Sequence, residues 1–148
     1  MSLKEKLRED MKEAMKAKDA LRLSTVRLLI SAIKNKEIEL IREMGDDEVI
    51  SVLSTAAKQR RESVEQYEKA GRLELAEQEK AELAIIISYM PVQLSKEDVT
   101  AIVRETASEV GAEGPKDMGK LMKALMPKVK GKADGKLVNE VVKEALGN

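Results

Sequence analysis

The side chains that could do chemistry gather in one stretch, Gly114 to Asn139, GPKDMGKLMKALMPKVKGKADGKLVN. Lysines stand at 116, 120, 123, 128, 130, 132 and 136, and the only acids are Asp117 and Asp134. Seven cations less two anions leave +5 here, in a chain whose total charge is zero. The densest part, KGKADGK from Lys130 to Lys136, contains two glycines and leads into Leu137, Val138, Val141, Val142 and Ala145 at helical spacing. A cationic loop that opens a helix suits a phosphate, because the first amides of a helix are free and its dipole favours an anion. On that reading Lys128, Lys130, Lys132 and Lys136 meet backbone phosphates, and Gly131 and Gly135 let the main chain come close. An ordinary helix–loop–helix kept in solution by its lysines has the same pattern. The loop is not a P-loop: it lacks the first glycine at the required spacing, and no Ser or Thr follows the lysine. No aromatic ring lies here to stack on bases, so contact with a folded RNA through phosphates and shape fits better than reading of a single strand.

Other chemistry is sparse. The chain has no histidine and no cysteine, which removes the commonest general base and metal ligand, any thiolate and any disulfide. Serines and threonines have no imidazole to activate them, and a Ser–Lys dyad cannot be inferred without geometry. Asp46-Asp47-Glu48 suits an acidic first helical turn better than a metal site. No catalytic residue, metal or cofactor is expected. Lys58-Gln59-Arg60-Arg61 could grip a phosphate, or pair with Glu62 and Glu65 one turn away. Met118, Met122 and Met126 could form an adaptable face for a protein partner, or fill a core. Gly119 marks a close helix approach or a kink.

Helices must position these groups. The chain is 43% apolar but only 1% aromatic, Tyr67 and Tyr89, so its core is aliphatic. Ser2 with Glu5 is a capping box, and Leu3, Leu7, Met11, Ala14 and Met15 make one stripe to about Lys18. Asp19 caps a second helix, about Ala20 to Glu43, with Val26, Ile30, Ile33, Glu37 and Ile41 on one stripe. Leu21, Leu28, Leu29 and Ala32 lie outside that stripe, which predicts contact from more than one side. Gly45 stops this helix, and Asp46 or Asp47 caps a third that Gly71 closes. A fourth runs roughly from Leu73 to Ser88, before Tyr89-Met90-Pro91 breaks the chain. Ser95 with Asp98 caps a fifth that ends at Gly111. Gly114-Pro115 starts the sixth, with Pro at its first position, and Met126-Pro127 ends it. Asp134 caps the seventh. No strand period appears.

The expected fold is all-α: a four-helix N-terminal domain over residues 1–90, a linker over 91–95 and a small three-helix C-terminal domain over 96–148. Residues 1–93 carry 17 basic and 18 acidic side chains, and residues 94–148 carry 10 and 9, so any anion site is a local patch. MSLKEKLRED is charged from the start, and no run approaches the ~20 apolar residues of a membrane span. No membrane association is expected, and a cytoplasmic location is the default.

KQRRESVEQYEKAGR, AELAIIISYMPVQLS and DMGKLMKALMPKVKGKADGKLVN together resemble the stand-alone YqeY-like proteins. These are homologous to the C-terminal tail of the GatB component of the glutamine-dependent aspartyl/glutamyl-tRNA amidotransferase. The resemblance covers essentially the whole chain and implies an all-helical fold of two domains. It also implies a link to tRNA, whose body the tail helps to hold while catalysis takes place elsewhere in that enzyme. The tail's small loop and following Val-Asn map onto Lys130, Gly131, Lys132, Ala133, Val138 and Asn139. Asp134-Gly135 departs from the tail's usual Asn-Pro and places an acid in the loop. The family label of carbon–nitrogen ligase with glutamine as amide donor belongs to the complete enzyme, whose catalytic parts are absent from these 148 residues. The expected function is an accessory module for tRNA or another structured RNA, without chemistry of its own. A helical adaptor for a protein partner is the alternative.

Overall fold

The computed structural model describes residues 1–147. Among these residues the chain forms seven α-helices and one 3-10 turn, with no strand. The helices are α1 (Leu3–Ala17), α2 (Ala20–Leu40), α3 (Asp46–Lys69), α4 (Leu73–Ile87), α5 (Lys96–Val110), α6 (Met118–Val129) and α7 (Gly135–Ala145). The 3-10 turn, Pro115–Asp117, precedes α6. Contacts gather into two compact units, Met1–Met90 and Pro91–Asn148. Asn148, which ends the expected C-terminal domain, lies outside the described residues.

The first unit buries one aliphatic cluster. Leu7 of α1, Val26, Leu29 and Ile33 of α2, Val49, Leu53 and Ala57 of α3, and Ile85 and Ile86 of α4 supply it, with Met44 and Tyr89 from the connections. Helix α2 packs against α1, α3 and α4, as its wide apolar surface predicts. Three residues of the expected pattern are exposed instead: Leu28 (54%), Ala32, and Ile41 just past the helix end (90%).

Helix α2 also stops earlier than expected, at Leu40 rather than near Glu43. Ile41 takes a left-handed conformation, φ 56°, and its amide donates to the Ile38 carbonyl while that of Arg42 donates to the Glu37 carbonyl. Glycine is the usual residue at such a cap. For a β-branched residue the conformation costs on the order of 1–2 kcal/mol. What offsets the cost is downstream: the early turn carries Met44 into the core, and the Met44 amide donates to the Glu37 carboxylate at 2.7 Å. Gly45 then serves as the N-cap of α3 rather than the stop of α2, and Asp46 sits inside the first turn of α3.

Both capping boxes form, Ser2 with Glu5 and Ser95 with Asp98. In the second unit Val99 and Val103 of α5, Leu121, Leu125 and Val129 of α6, and Val138, Val141 and Val142 of α7 share a core with Leu146. The expected stop of the sixth helix at Met126-Pro127 is corrected: α6 continues through Pro127 to Val129. Proline deprives the carbonyl four residues back of its donor. That carbonyl belongs to Lys123, and Lys123 and Pro127 are both exposed, so water can satisfy it. Meanwhile Val129, one turn beyond Leu125, still reaches the core. At the other end Pro115 opens the 3-10 turn rather than α6 itself.

One buried polar contact ties the ends of the first unit together. The Tyr89 hydroxyl donates to Asp10 Oδ2 at 2.6 Å, and Lys6 Nζ stands 5.6 Å from the ring centroid. Burial first, then Asp10, raises the Tyr89 pKa well above the ordinary phenol range. Tyr89→Phe is expected to cost about 1.5–3 kcal/mol, since it removes a hydrogen bond to a charged acceptor. A lower urea midpoint at unchanged slope checks this.

Candidate nucleic-acid interface

The basic loop is built on a tight turn at the end of α6. Lys130 has φ −58° and ψ 126°, Gly131 has φ 75°, and the Lys132 amide donates to the Val129 carbonyl at 2.9 Å. These are the features of a type II turn, whose third residue needs a positive φ and hence glycine. Gly131 is buried, so its polar main-chain groups need partners inside the protein. Gln93 Nε2 donates to the Gly131 carbonyl at 2.9 Å. The Leu94 amide donates to the Lys132 carbonyl at 2.7 Å. The Ala133 amide also turns inward, donating to the Val129 carbonyl. By these contacts residues 93 and 94, read from the sequence as part of a linker, brace the loop.

Asp134 caps α7, and its carboxylate accepts from the Lys136 amide at 3.3 Å. The protein's own anion therefore lies where the sequence pattern offers a phosphate the free amides of a helix start. The main chain of this loop is largely committed. The side chains of Lys130, Lys132, Lys136 and Asn139 are all exposed. The turn sets Lys130 and Lys132 on either side of Gly131. Lys136 and Asn139 are three residues apart on α7, one turn along the same side of the helix.

Lys128 is placed differently. Its ammonium lies 3.0 Å from Glu109 Oε2 and 2.9 Å from Thr106 Oγ1, both on α5. Thr106 in turn donates to the Ile102 carbonyl at 2.7 Å. Sequence reasoning missed both partners. A signal was present for Thr106, a polar residue at the buried spacing of Val99 and Val103; for Gln93 and Leu94 there was none. Of the seven lysines in the stretch, Lys116, Lys120 and Lys123 are exposed along the 3-10 turn and α6. Asp117 lies among them, with its pKa held below the usual carboxylate range by the Glu113 amide, the Gly114 amide and the nearby lysines.

The other motifs resolve as structure. Arg60 does not pair with Glu62 or Glu65 on its own helix. Its Nε reaches across to α4, 3.0 Å from Glu82 and 3.6 Å from Glu79, with all three side chains mostly buried. Met118 and Met122 pack against the second core, and Met126 alone of the three is exposed. Among the described residues no group of three His, Cys, Asp or Glu side chains is placed to hold a metal ion. No helix of these residues is long and apolar enough to cross a membrane.

A model of the family described as Yqey-like protein matches residues 4–146. Among curated relatives, the "Altered inheritance of mitochondria protein 41, mitochondrial" of Lachancea thermotolerans is 36% identical over 113 residues, covering 74% of this chain and 60% of that protein. The protein of the same name from Kluyveromyces lactis has the same identity and coverage. That of Pyrenophora tritici-repentis is 27% identical over 146 residues, 96% of this chain and 80% of that protein. The chain thus spans about 60% of the length of the first two relatives. All three are named as mitochondrial, which overturns the cytoplasmic default. The physical basis of that default was narrow: it rested on charge and hydropathy patterns that do not distinguish the cytoplasm from the mitochondrion.

Two outcomes follow from this geometry. Gly131→Ala is expected to destabilise the protein by about 1–2 kcal/mol, because a Cβ is disfavoured at positive φ, as read by urea unfolding. The second concerns Glu79, whose Oε2 is buried without a hydrogen bond and whose pKa is raised by burial and then by the Glu82 charge, against the pull of Arg60. A folded-state pKa above the unfolded value confers stability below the unfolded value that is lost as pH rises through the folded one. Glu79→Gln is therefore expected to raise the melting temperature at pH 7 and to change it little at pH 4.

Proposed function

The chain belongs to the Yqey-like family, and on that premise we propose that it is an accessory RNA-binding module that performs no chemistry of its own. Its ligand is a structured RNA, with tRNA the first candidate given the resemblance to the amidotransferase tail. Lys130, Lys132 and Lys136 meet phosphates through their ammonium groups, and Asn139 adds a hydrogen bond one turn along α7. The observation that carries this reading is the pair of exposed lysines, Lys130 and Lys132, flanking a braced turn. A rigid support lowers the entropy lost when long side chains are ordered on a ligand. The contact runs chiefly through side chains, because Asp134 already holds the Lys136 amide and the turn holds those of Lys132 and Ala133.

Such a contact reads phosphate position and RNA shape rather than base sequence. With a carboxylate beside the lysines its affinity is modest and depends on salt. Neither unit is basic as a whole, so the patch is local.

Binding of tRNA to the purified chain over a series of salt concentrations tests this. Lys130→Ala with Lys132→Ala is expected to weaken binding and to reduce the log–log salt slope by roughly one for each phosphate no longer engaged. Lys128→Ala should change affinity little, because that ammonium is held by Glu109 and Thr106. Salt-independent binding, or none at micromolar protein, removes the proposal.

A further inference from the structure

The first unit carries a groove that the RNA reading does not use. It lies between α1 and α2, has a volume of about 280 Å³, and is floored by Leu7, Ile30 and Ile33. Lys4, Arg8, Lys34 and Glu37 form its rim. Glu37 is already engaged: Lys4 Nζ lies 2.6 Å from its Oε2, and the Met44 amide donates to the same oxygen at 2.7 Å. Among the described residues Arg8 and Lys34 form no ion pair, and Arg8 acts on Glu37 only through longer-range attraction. Three rim cations less one anion leave +2, in a unit with 17 basic and 18 acidic side chains. An apolar floor beneath two uncommitted cations is thus a local positive region on a unit of nearly balanced charge.

The strip continues along α2, where Lys34 and Ile38 are one turn apart on one side of the helix; Ile38 is 67% exposed, and Ile41, just past the helix end, is 90% exposed. Ile41 holds its exposed position in the left-handed conformation that disfavours its own β-branch. Ile30, Lys34 and Ile38 span about two helical turns, roughly 12 Å at 1.5 Å per residue.

We propose that this face of α1 and α2 docks an acidic amphipathic helix of a partner protein. The partner places an apolar side chain in the groove and further apolar residues, three to four apart, over Ile38 and Ile41. Acidic residues on its flank meet Arg8 and Lys34. This is helix-in-groove recognition with charge fixing the register. The apolar floor suits a helix better than a phosphate backbone. The larger groove between α3 and α4, about 570 Å³, offers no such signal, because its Lys69 and Lys80 already pair with Glu65 and Glu68.

The test uses the full chain and a displayed library of amphipathic helices, with apolar residues fixed at three- and four-residue spacing and all other positions free. Selected binders are expected to be rich in Asp and Glu on one flank. In NMR titrations they should shift the amides of Arg8, Ile30, Lys34 and Ile38. Arg8→Glu with Lys34→Glu should weaken them at least about tenfold and select binders rich in Lys and Arg instead. Both side chains are exposed, and Ile38→Ser gives an independent loss without a change of charge. Failure to select any binder, binders without acidic enrichment, or shifts elsewhere would overturn the proposal. So would binding of RNA, or of phosphatidylserine vesicles, that is lost in the same variants.

Discussion

A buried turn has to satisfy its own main chain, and that constraint shapes everything the basic loop can do. Gly131 is buried, so its carbonyl must find a donor within the protein. Gln93, Leu94 and the end of α6 provide the partners. The Lys132 and Ala133 amides are directed inward, and that of Lys136 in the first turn of α7 is taken by Asp134. The loop keeps its positive charge only at the tips of its lysines. An electrostatic patch of that sort acts at the surface, where salt screens it and geometry is loose.

The same competition between internal and external partners decides the other charges. Lysine and arginine side chains can turn to a neighbour or remain available, and composition is silent on which. Lys128 turns to Glu109 and Thr106, and Arg60 turns to Glu79 and Glu82. Lys4 turns to Glu37, which in turn holds the Met44 amide and so the early end of α2. Arg8 and Lys34 do not turn, and they stand above an apolar floor. A chain of zero formal charge thus carries small, separate regions of positive surface.

Much of the helical order was legible in the sequence. Ser2 with Glu5 and Ser95 with Asp98 act through contacts three residues apart, so local sequence sufficed. Gly71 and Gly111 likewise close their helices with positive φ. The misreadings share a cause. Proline at 127 and glycine at 45 suggested boundaries by local rule, yet burial of Val129 and Met44 moved both. The cost of a left-handed isoleucine, on the order of 1–2 kcal/mol, is of the size that burial of a large apolar side chain, about 1.5–3 kcal/mol, can offset.

The sequence by itself determined that this protein is all-helical and aliphatic-cored, where most of its caps lie, and that its lysines concentrate near α7. Those properties depend on periodicity and on neighbours within one turn. Tertiary structure alone decided which cations are held by internal partners. It brought Gln93 to Gly131, Glu109 to Lys128 and Glu82 to Arg60 across 38, 19 and 22 positions. The physical reason is that an ion pair or a buried carbonyl is settled by distance in space, and helical spacing carries that information no further than the next turn.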